Sequence, residues 1–162
     1  MTYEQPYPAQ NFQAPEPPLW APLYGATFQQ AVRRFFKKYT VFHGRASRSE
    51  YWWWTLVSVG VSIILNVIIG AGAGATTATS SLGSAPAPGP GAVVGYSLLV
   101  VWALATIVPS LALTVRRLHD VNQSGWLVLI GLVPFLGALA LLVFMILPSN
   151  PAGQRFDQPG GV

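Results

Sequence analysis

Apolar residues gather into three long runs, at about residues 51–71, 93–115 and 126–147, and no Asp, Glu, Lys, Arg or His interrupts any of them. About 20 apolar residues at a rise of 1.5 Å cover a hydrocarbon core of ~30 Å, so each run is long enough for a transmembrane helix. The first opens on Tyr51, Trp52, Trp53 and Trp54 and the third on Trp126, aromatic rings suited to the headgroup level. Ser47, followed three residues later by Glu50, forms a capping box that starts the first helix just before its apolar run. Pro134 and Gly137 interrupt the third run and offer it a second course, a re-entrant hairpin in place of a span.

Upstream, within residues 24–41, Phe28, Val32, Phe35, Phe36 and Tyr39 recur at helical spacing while Arg33, Arg34, Lys37 and Lys38 take the other side. This predicts a short amphipathic helix in the membrane interface, its four cations turned to anionic headgroups at about 1 kcal/mol each. The alternative is a helix packed on protein. Residues 1–23 hold Pro6, Pro8, Pro15, Pro17, Pro18 and Pro22 with no aliphatic run, which predicts a disordered tail. Residues 72–92 are Gly, Ala, Ser, Thr, Pro and one Leu without charge, which predicts a flexible loop. The expected fold is therefore all-α and integral to a membrane: a disordered tail, an amphipathic helix, and a membrane domain over residues 42–159 with three spans.

Composition agrees with this class. Only 9% of residues are charged, against about 25% in ordinary soluble domains, and 52% are hydrophobic. The charges are also unevenly placed: Arg33, Arg34, Lys37, Lys38, Arg45 and Arg48 are six of the nine cations. They precede the first span, Arg116 and Arg117 follow the second, and the 72–92 loop has none. The bias of Lys and Arg places the N-terminus and the loop after the second span in the cytoplasm and the 72–92 loop outside. Three spans would put the C-terminal tail outside as well; a re-entrant hairpin would return it. The N-terminus has no basic segment followed by an apolar one, so a cleaved secretory signal is not expected. The pI of about 9.8 would suggest nucleic acid for a soluble protein, but cations hugging a membrane edge point to anionic lipids and away from nucleic acid.

Small and polar residues run along both spans at four-residue spacing: Ser58, Ser62, Asn66 and Gly70 on the first, Thr106, Ser110 and Thr114 on the second. Such stripes let helices approach closely, within the chain or between copies. Pro109 lacks an N–H and frees the carbonyl of Ala105, four residues earlier, where the helix should kink.

The hairpin topology brings two charged stretches to one leaflet: Arg45, Arg48 and Glu50 before the first span, and Arg116, Arg117, His119 and Asp120 after the second, with Trp126 close behind. Arginine suits such a place because its planar fork binds phosphate or carboxylate through two hydrogen bonds. Part of the charge can pair internally, Glu50 with Arg116 or Arg117 being the obvious choice. Positive-inside and helix-dipole effects account for much of the same pattern without a ligand. His119 next to Asp120 does not imply a pair, since neighbours on a helix point about 100° apart. Cysteine is absent, and His43, His119, Glu50 and Asp120 have no metal-ligand spacing. No P-loop, nucleophile elbow, HExxH or dinucleotide fingerprint occurs, so neither a catalytic residue nor a cofactor is expected.

The stretch FHGRASRSEYWWW from Phe42 to Trp54, RRLHDVNQSGW from Arg116 to Trp126, and the tail GQRFDQP from Gly153 to Pro159 together resemble the Domain of Unknown Function 805 family. Its members are YhaH-like small bacterial inner membrane proteins. The resemblance runs from about residue 31 to residue 159 and rests on Gly44, Arg45, Arg48, Glu50, Tyr51, Trp52, Arg116, Arg117, His119, Asp120, Ser124, Gly125 and Trp126. It implies a multi-spanning inner membrane protein with no established activity or cofactor. The tail departs from the family pattern, which reads closer to NRFG than Gln154-Arg155-Phe156-Asp157, and the Pro-rich start and long Gly/Ala/Pro loop look like additions. The combined expectation is a non-enzymatic protein that binds anionic headgroups or a membrane partner through the Arg/Glu/His/Asp cluster. The competing expectation is an oligomeric transporter or channel component lined by Ser62, Asn66, Thr106 and Ser110.

Overall fold

The computed structural model describes residues 16–77 and 89–157. Expectations for residues 1–15, for the middle of the 72–92 loop and for the last five residues lie outside the described residues. The elements in order are α1 (Phe28–Lys37), α2 (Arg48–Thr77), α3 (Pro90–Asp120), a 3₁₀ segment (Gly125–Leu132), α4 (Leu136–Ile146) and a second 3₁₀ segment (Pro151–Phe156). No strand occurs among the described residues.

Helices α2 and α3 form an antiparallel hairpin, and both are long and apolar enough to cross a membrane. Ser47 starts α2 as expected: its Oγ accepts from the Glu50 amide at 3.2 Å, and Glu50 Oε2 accepts from the Ser47 amide at 2.9 Å. At the other end glycines let the helices meet. A Cβ on Gly72 would strike the backbone of Ala92, and one on Gly95 would stand 2.6 Å from Ile69 Cγ1. Outward-facing Leu56, Ile63, Ile64 and Val67 on α2, and Val100, Val101, Leu104 and Ile107 on α3, present an apolar surface of the kind lipid covers.

Helix α3 stays helical through Pro109. The carbonyl that Pro109 leaves open, that of Ala105, accepts a hydrogen bond from Tyr39 Oη at 2.8 Å. A residue just past α1 therefore supplies the partner the proline removed.

Helix α1 packs on protein. Its buried residues are Ala31, Arg34 and Phe35, with Lys38 one turn on, a spacing of i, i+3, i+4 and i+7 that marks one helical face. Phe35 stacks on Trp54 with ring centroids 3.3 Å apart, and these two, with Ala46 and Leu113, form the hydrophobic core. The single basic face expected from Arg33, Arg34, Lys37 and Lys38 is thus divided. Arg34 and Lys38 turn into the protein, because Glu50 lies there, while Arg33 and Lys37 stay outside.

Two further expectations are corrected. Residues 16–23, assigned to a disordered tail, are held by hydrogen bonds: Arg34 donates to the carbonyls of Pro17 at 3.0 Å and Ala21 at 2.5 Å, and the Leu23 amide donates to Glu50 at 3.2 Å. Hydrogen bonds to backbone groups fix this segment, together with the burial of Pro22.

The run 126–147 is not one helix. The Val133 amide closes the 3₁₀ segment on Ile130 O, and the Leu136 amide reaches Pro134 O at 2.7 Å around Phe135. Phe135 has φ 60° and ψ −60°, a γ-turn that reverses the chain. Gly137 lets α4 fold back, since a Cβ there would collide with Ile130 O. The Asn150 amide then donates to Asp120 O at 2.8 Å, so the hairpin begins and ends at the same end of α3.

Candidate functional site

The polar end of the α2/α3 hairpin gathers Arg34 and Lys38 from α1, Arg45 from the connection, Glu50 from α2, Arg116, Arg117 and Asp120 from α3, and Asp157 from the tail. Five cations face three carboxylates, a net charge of +2 with Lys38 protonated, and all but Asp157 are buried.

Glu50 centres one half. Its Oε1 accepts from Arg34 Nε at 2.6 Å, and Lys38 Nζ stands 3.8 Å away. The expected partners, Arg116 and Arg117, are displaced by α1. Arg116 donates from Nε to Ala112 O at 3.1 Å within its own helix, and its Nη2 is buried without a hydrogen-bond partner. Lys38 is 0% exposed, and its Nζ likewise lacks a hydrogen-bond partner. Burial pushes the Lys38 ammonium down to about 7; Glu50 pulls it upward and Arg116 and Arg34 add to the fall.

Asp120 centres the other half. It pairs with Arg117, accepts from Tyr24 Oη at 3.1 Å and from Ser149 Oγ, and stands 3.8 Å from Arg45 Nη1. Burial, then Asp120, raises the pKa of the Tyr24 phenol. Arg117 also donates to the carbonyls of Met145 and Leu147 and so holds the end of α4. Arg45 clasps Asp157 through Nη2 to Oδ2 at 2.8 Å and Nε to Oδ1 at 3.0 Å, the two-pronged geometry suited to a guanidinium.

His119 takes no part in either half. Its Nδ1 donates to Gly44 O at 3.1 Å and its ring stacks on Phe156 at 4.1 Å. Arg48 is exposed at the first turn of α2, at the edge of a cavity of about 470 Å³ that Tyr24, Ser49 and Ser149 also line. Trp126 is 80% exposed on the far side of α3. The proposed path residues do not share a face: Thr106 is buried with its Oγ1 on Trp102 O, Ser110 receives Trp54 Nε1 at 3.4 Å, and Ser62 and Asn66 line the outside of α2. No cluster of three metal-ligating side chains occurs among the described residues.

Sequence reasoning missed Tyr24, Ser149 and Asp157 as members. Asp157 sits inside the GQRFDQP motif, but only the clasp on Arg45 gives it a role. The signal for Arg34 and Lys38 was present: Glu50 is the single acidic residue between Glu16 and Asp120, and a lone carboxylate among six nearby cations needs partners.

Comparison with known proteins gives a consistent result. The family model described as a protein of unknown function, DUF805, matches residues 39–158. Inner membrane protein YhaI of Escherichia coli K12 is 36% identical over 120 residues, which cover 74% of this chain and 86% of the relative. Inner membrane protein YhaH of the same strain is 32% identical over 123 residues, covering 76% and 89%. No solved structure matches. With two helices apolar enough to span, these relatives support an inner-membrane location.

Proposed function

The chain belongs to the DUF805 family of unknown function, and from that premise we propose that it is a non-enzymatic, multi-pass inner membrane protein that holds anionic headgroups at its polar end. The N-terminus and the charged cluster face the cytoplasm. The observation that carries this reading is the division of the cations: Arg34, Lys38, Arg45 and Arg117 are ion-paired inside the cluster and Arg116 is buried with them, while Arg33, Lys37, Arg48 and Arg155 lie outside it and make no ion pair among the described residues. All four lie at the same end of the hairpin, and the described residues at the other end carry no charge. The buried cluster then assembles the polar end, and the outer cations meet phosphates. Arg48 serves as the anchor, at the mouth of a polar cavity and beside the amide end of α2, where the helix dipole favours an anion.

The test is mass spectrometry of lipids retained in native lipid discs by the wild type and by a triple Arg33→Gln, Lys37→Gln, Arg48→Gln variant. At about 1 kcal/mol per cation, retention of phosphatidylglycerol or cardiolipin should fall roughly a hundredfold with the melting temperature unchanged. Identical lipid lists overturn the proposal. Single reporter cysteines at Leu82 and Asn122, labelled from either side, test the orientation.

A further inference from the structure

On the side of α3 away from the charged cluster, the last turns of that helix, the Gly125–Leu129 stretch, Phe42, His43 and Phe156 enclose a cavity of about 660 Å³. That volume lies within the range of small-molecule sites. Its walls are apolar at Phe42, Val115, Leu129 and Phe156, and no Lys or Arg lines it. Trp126 and Leu129 on its rim are exposed and belong to the apolar 125–146 hairpin, so a ligand dissolved in the bilayer reaches it directly.

The imidazoles of His43 and His119 and the hydroxyl of Ser124 supply its polarity. The carbonyl of Gly44 can only accept, so His119 Nδ1 carries the proton of the hydrogen bond between them, and Nε2 of the neutral ring is left with a lone pair. Phe156, stacked on the ring at an interplanar angle of 6° and itself covered by Arg155, fixes this orientation. No described residue hydrogen-bonds His119 Nε2, and Nε2 of His43 is buried without a partner. Gly125 leaves the approach to His119 open: a Cβ there would stand 2.7 Å from Val115 Cγ1 and 3.0 Å from His119 Nε2.

We propose that this cavity binds the head of a neutral membrane lipid bearing a free hydroxyl. A hydroxyl donates a hydrogen bond, so it can give its proton to the free lone pair of His119 Nε2. A fully ionised phosphate has no proton to give that lone pair, and no Lys or Arg lines the cavity. The apolar walls take the first carbons of the chain, with Trp126 at the rim. A diacylglycerol and a long-chain prenyl alcohol share this chemistry and differ in the body attached to the hydroxyl.

The experiment measures retention by the full-length protein in lipid discs, by native mass spectrometry, of dioleoylglycerol and of solanesol, each against its O-methyl ether, with phosphatidic acid as a third competitor. Methylation removes the donated hydrogen and adds bulk, so one or both alcohols should be retained at least tenfold better than the ether; the alcohol that shows the difference names the source. Equal retention of alcohol and ether, no retention of either, or preference for phosphatidic acid overturns the proposal, and none of these outcomes depends on a variant folding. His119→Phe, which preserves the ring stack, should abolish the alcohol-to-ether difference, and Gly125→Ala should weaken retention of both alcohols. A His119→Phe protein that keeps the difference also overturns it. The readout is independent of Arg33, Lys37 and Arg48, so the headgroup reading can fail while this one holds.

Discussion

Replacing Glu50 by Gln keeps the shape of the side chain and removes its charge. The carboxylate accepts from Arg34 Nε, from the Ser47 amide and from the Leu23 amide, with Lys38 Nζ 3.8 Å away. Without it, Arg34 and Arg116 remain charged in a site from which water is excluded. Breaking a buried pair at one partner costs about 3–5 kcal/mol, chiefly as the penalty for the charge left behind. The folding equilibrium should therefore fall by about two to three and a half orders of magnitude. Arg34→Met should also destabilise, because it abandons the carbonyls of Pro17 and Ala21 as well as Glu50. The double variant should cost less than the two singles together, by about 0.5–3 kcal/mol, the coupling expected of residues in contact. The assay is denaturant unfolding in mild detergent micelles, followed by near-ultraviolet circular dichroism, which reports the stack of Phe35 on Trp54. A loss below about 1 kcal/mol for Glu50→Gln, the value of a solvent-exposed ion pair, refutes the buried-pair reasoning. So does a double variant whose loss equals the sum of the singles.

Three other outcomes are expected. Lys38 has a folded pKa of about 7 against an ordinary 10.5, lowered first by burial, so between these values the unfolded chain binds a proton that the folded one has released. Stability from this group rises with pH from 7 towards 10, with a slope approaching about 1.4 kcal/mol per pH unit, and Lys38→Met should remove that slope from unfolding curves taken at pH 7, 8 and 9. Tyr39→Phe leaves the Ala105 carbonyl without its donor and should cost about 1–3 kcal/mol in the same unfolding assay, while the circular dichroism of the folded state stays helical. Arg45→Gln releases Asp157 and loosens Asp120, so amide hydrogen exchange of residues 150–157 should speed up by at least tenfold while α2 and α3 keep their protection.

The two long helices were legible because about 20 uncharged apolar positions in a row have few other fates. The capping box at Ser47 and Glu50 is local chemistry, readable from four residues, and it formed as expected. The break at Pro134 was legible as an alternative; the choice between span and hairpin depended on Phe135 adopting a left-handed conformation and on Gly137 meeting Ile130, contacts that periodicity does not contain. Helix α1 shows the sharper lesson. Its apolar residues suggested one face and its buried residues define another, because two cations with a carboxylate waiting can occupy an interior face as well as two leucines can. Charge alone says which residues avoid hydrocarbon, whereas the partner, sixteen residues from Arg34 along the chain, decides which of them face water. Asp157 was beyond reach for the same reason, being separated from Arg45 by 112 residues.

That separation has a consequence for how the protein is made. At about 5–20 residues per second, the ribosome adds the 112 residues between Arg45 and Asp157 in roughly 6 to 22 s. Throughout that interval the first motif has already been synthesised while its last carboxylate has not. The polar end therefore closes only after the tail has left the exit tunnel, and a chain truncated before Asp157 carries an Arg45 that Asp120, 3.8 Å away, and the Tyr24 hydroxyl, at 3.4 Å, must satisfy. Synthesis of Asp157 and closure of the polar end are coupled through one guanidinium. Premature termination products are expected to show an open polar end to the proteases that clear unfinished membrane proteins, even with both hydrophobic helices already inserted.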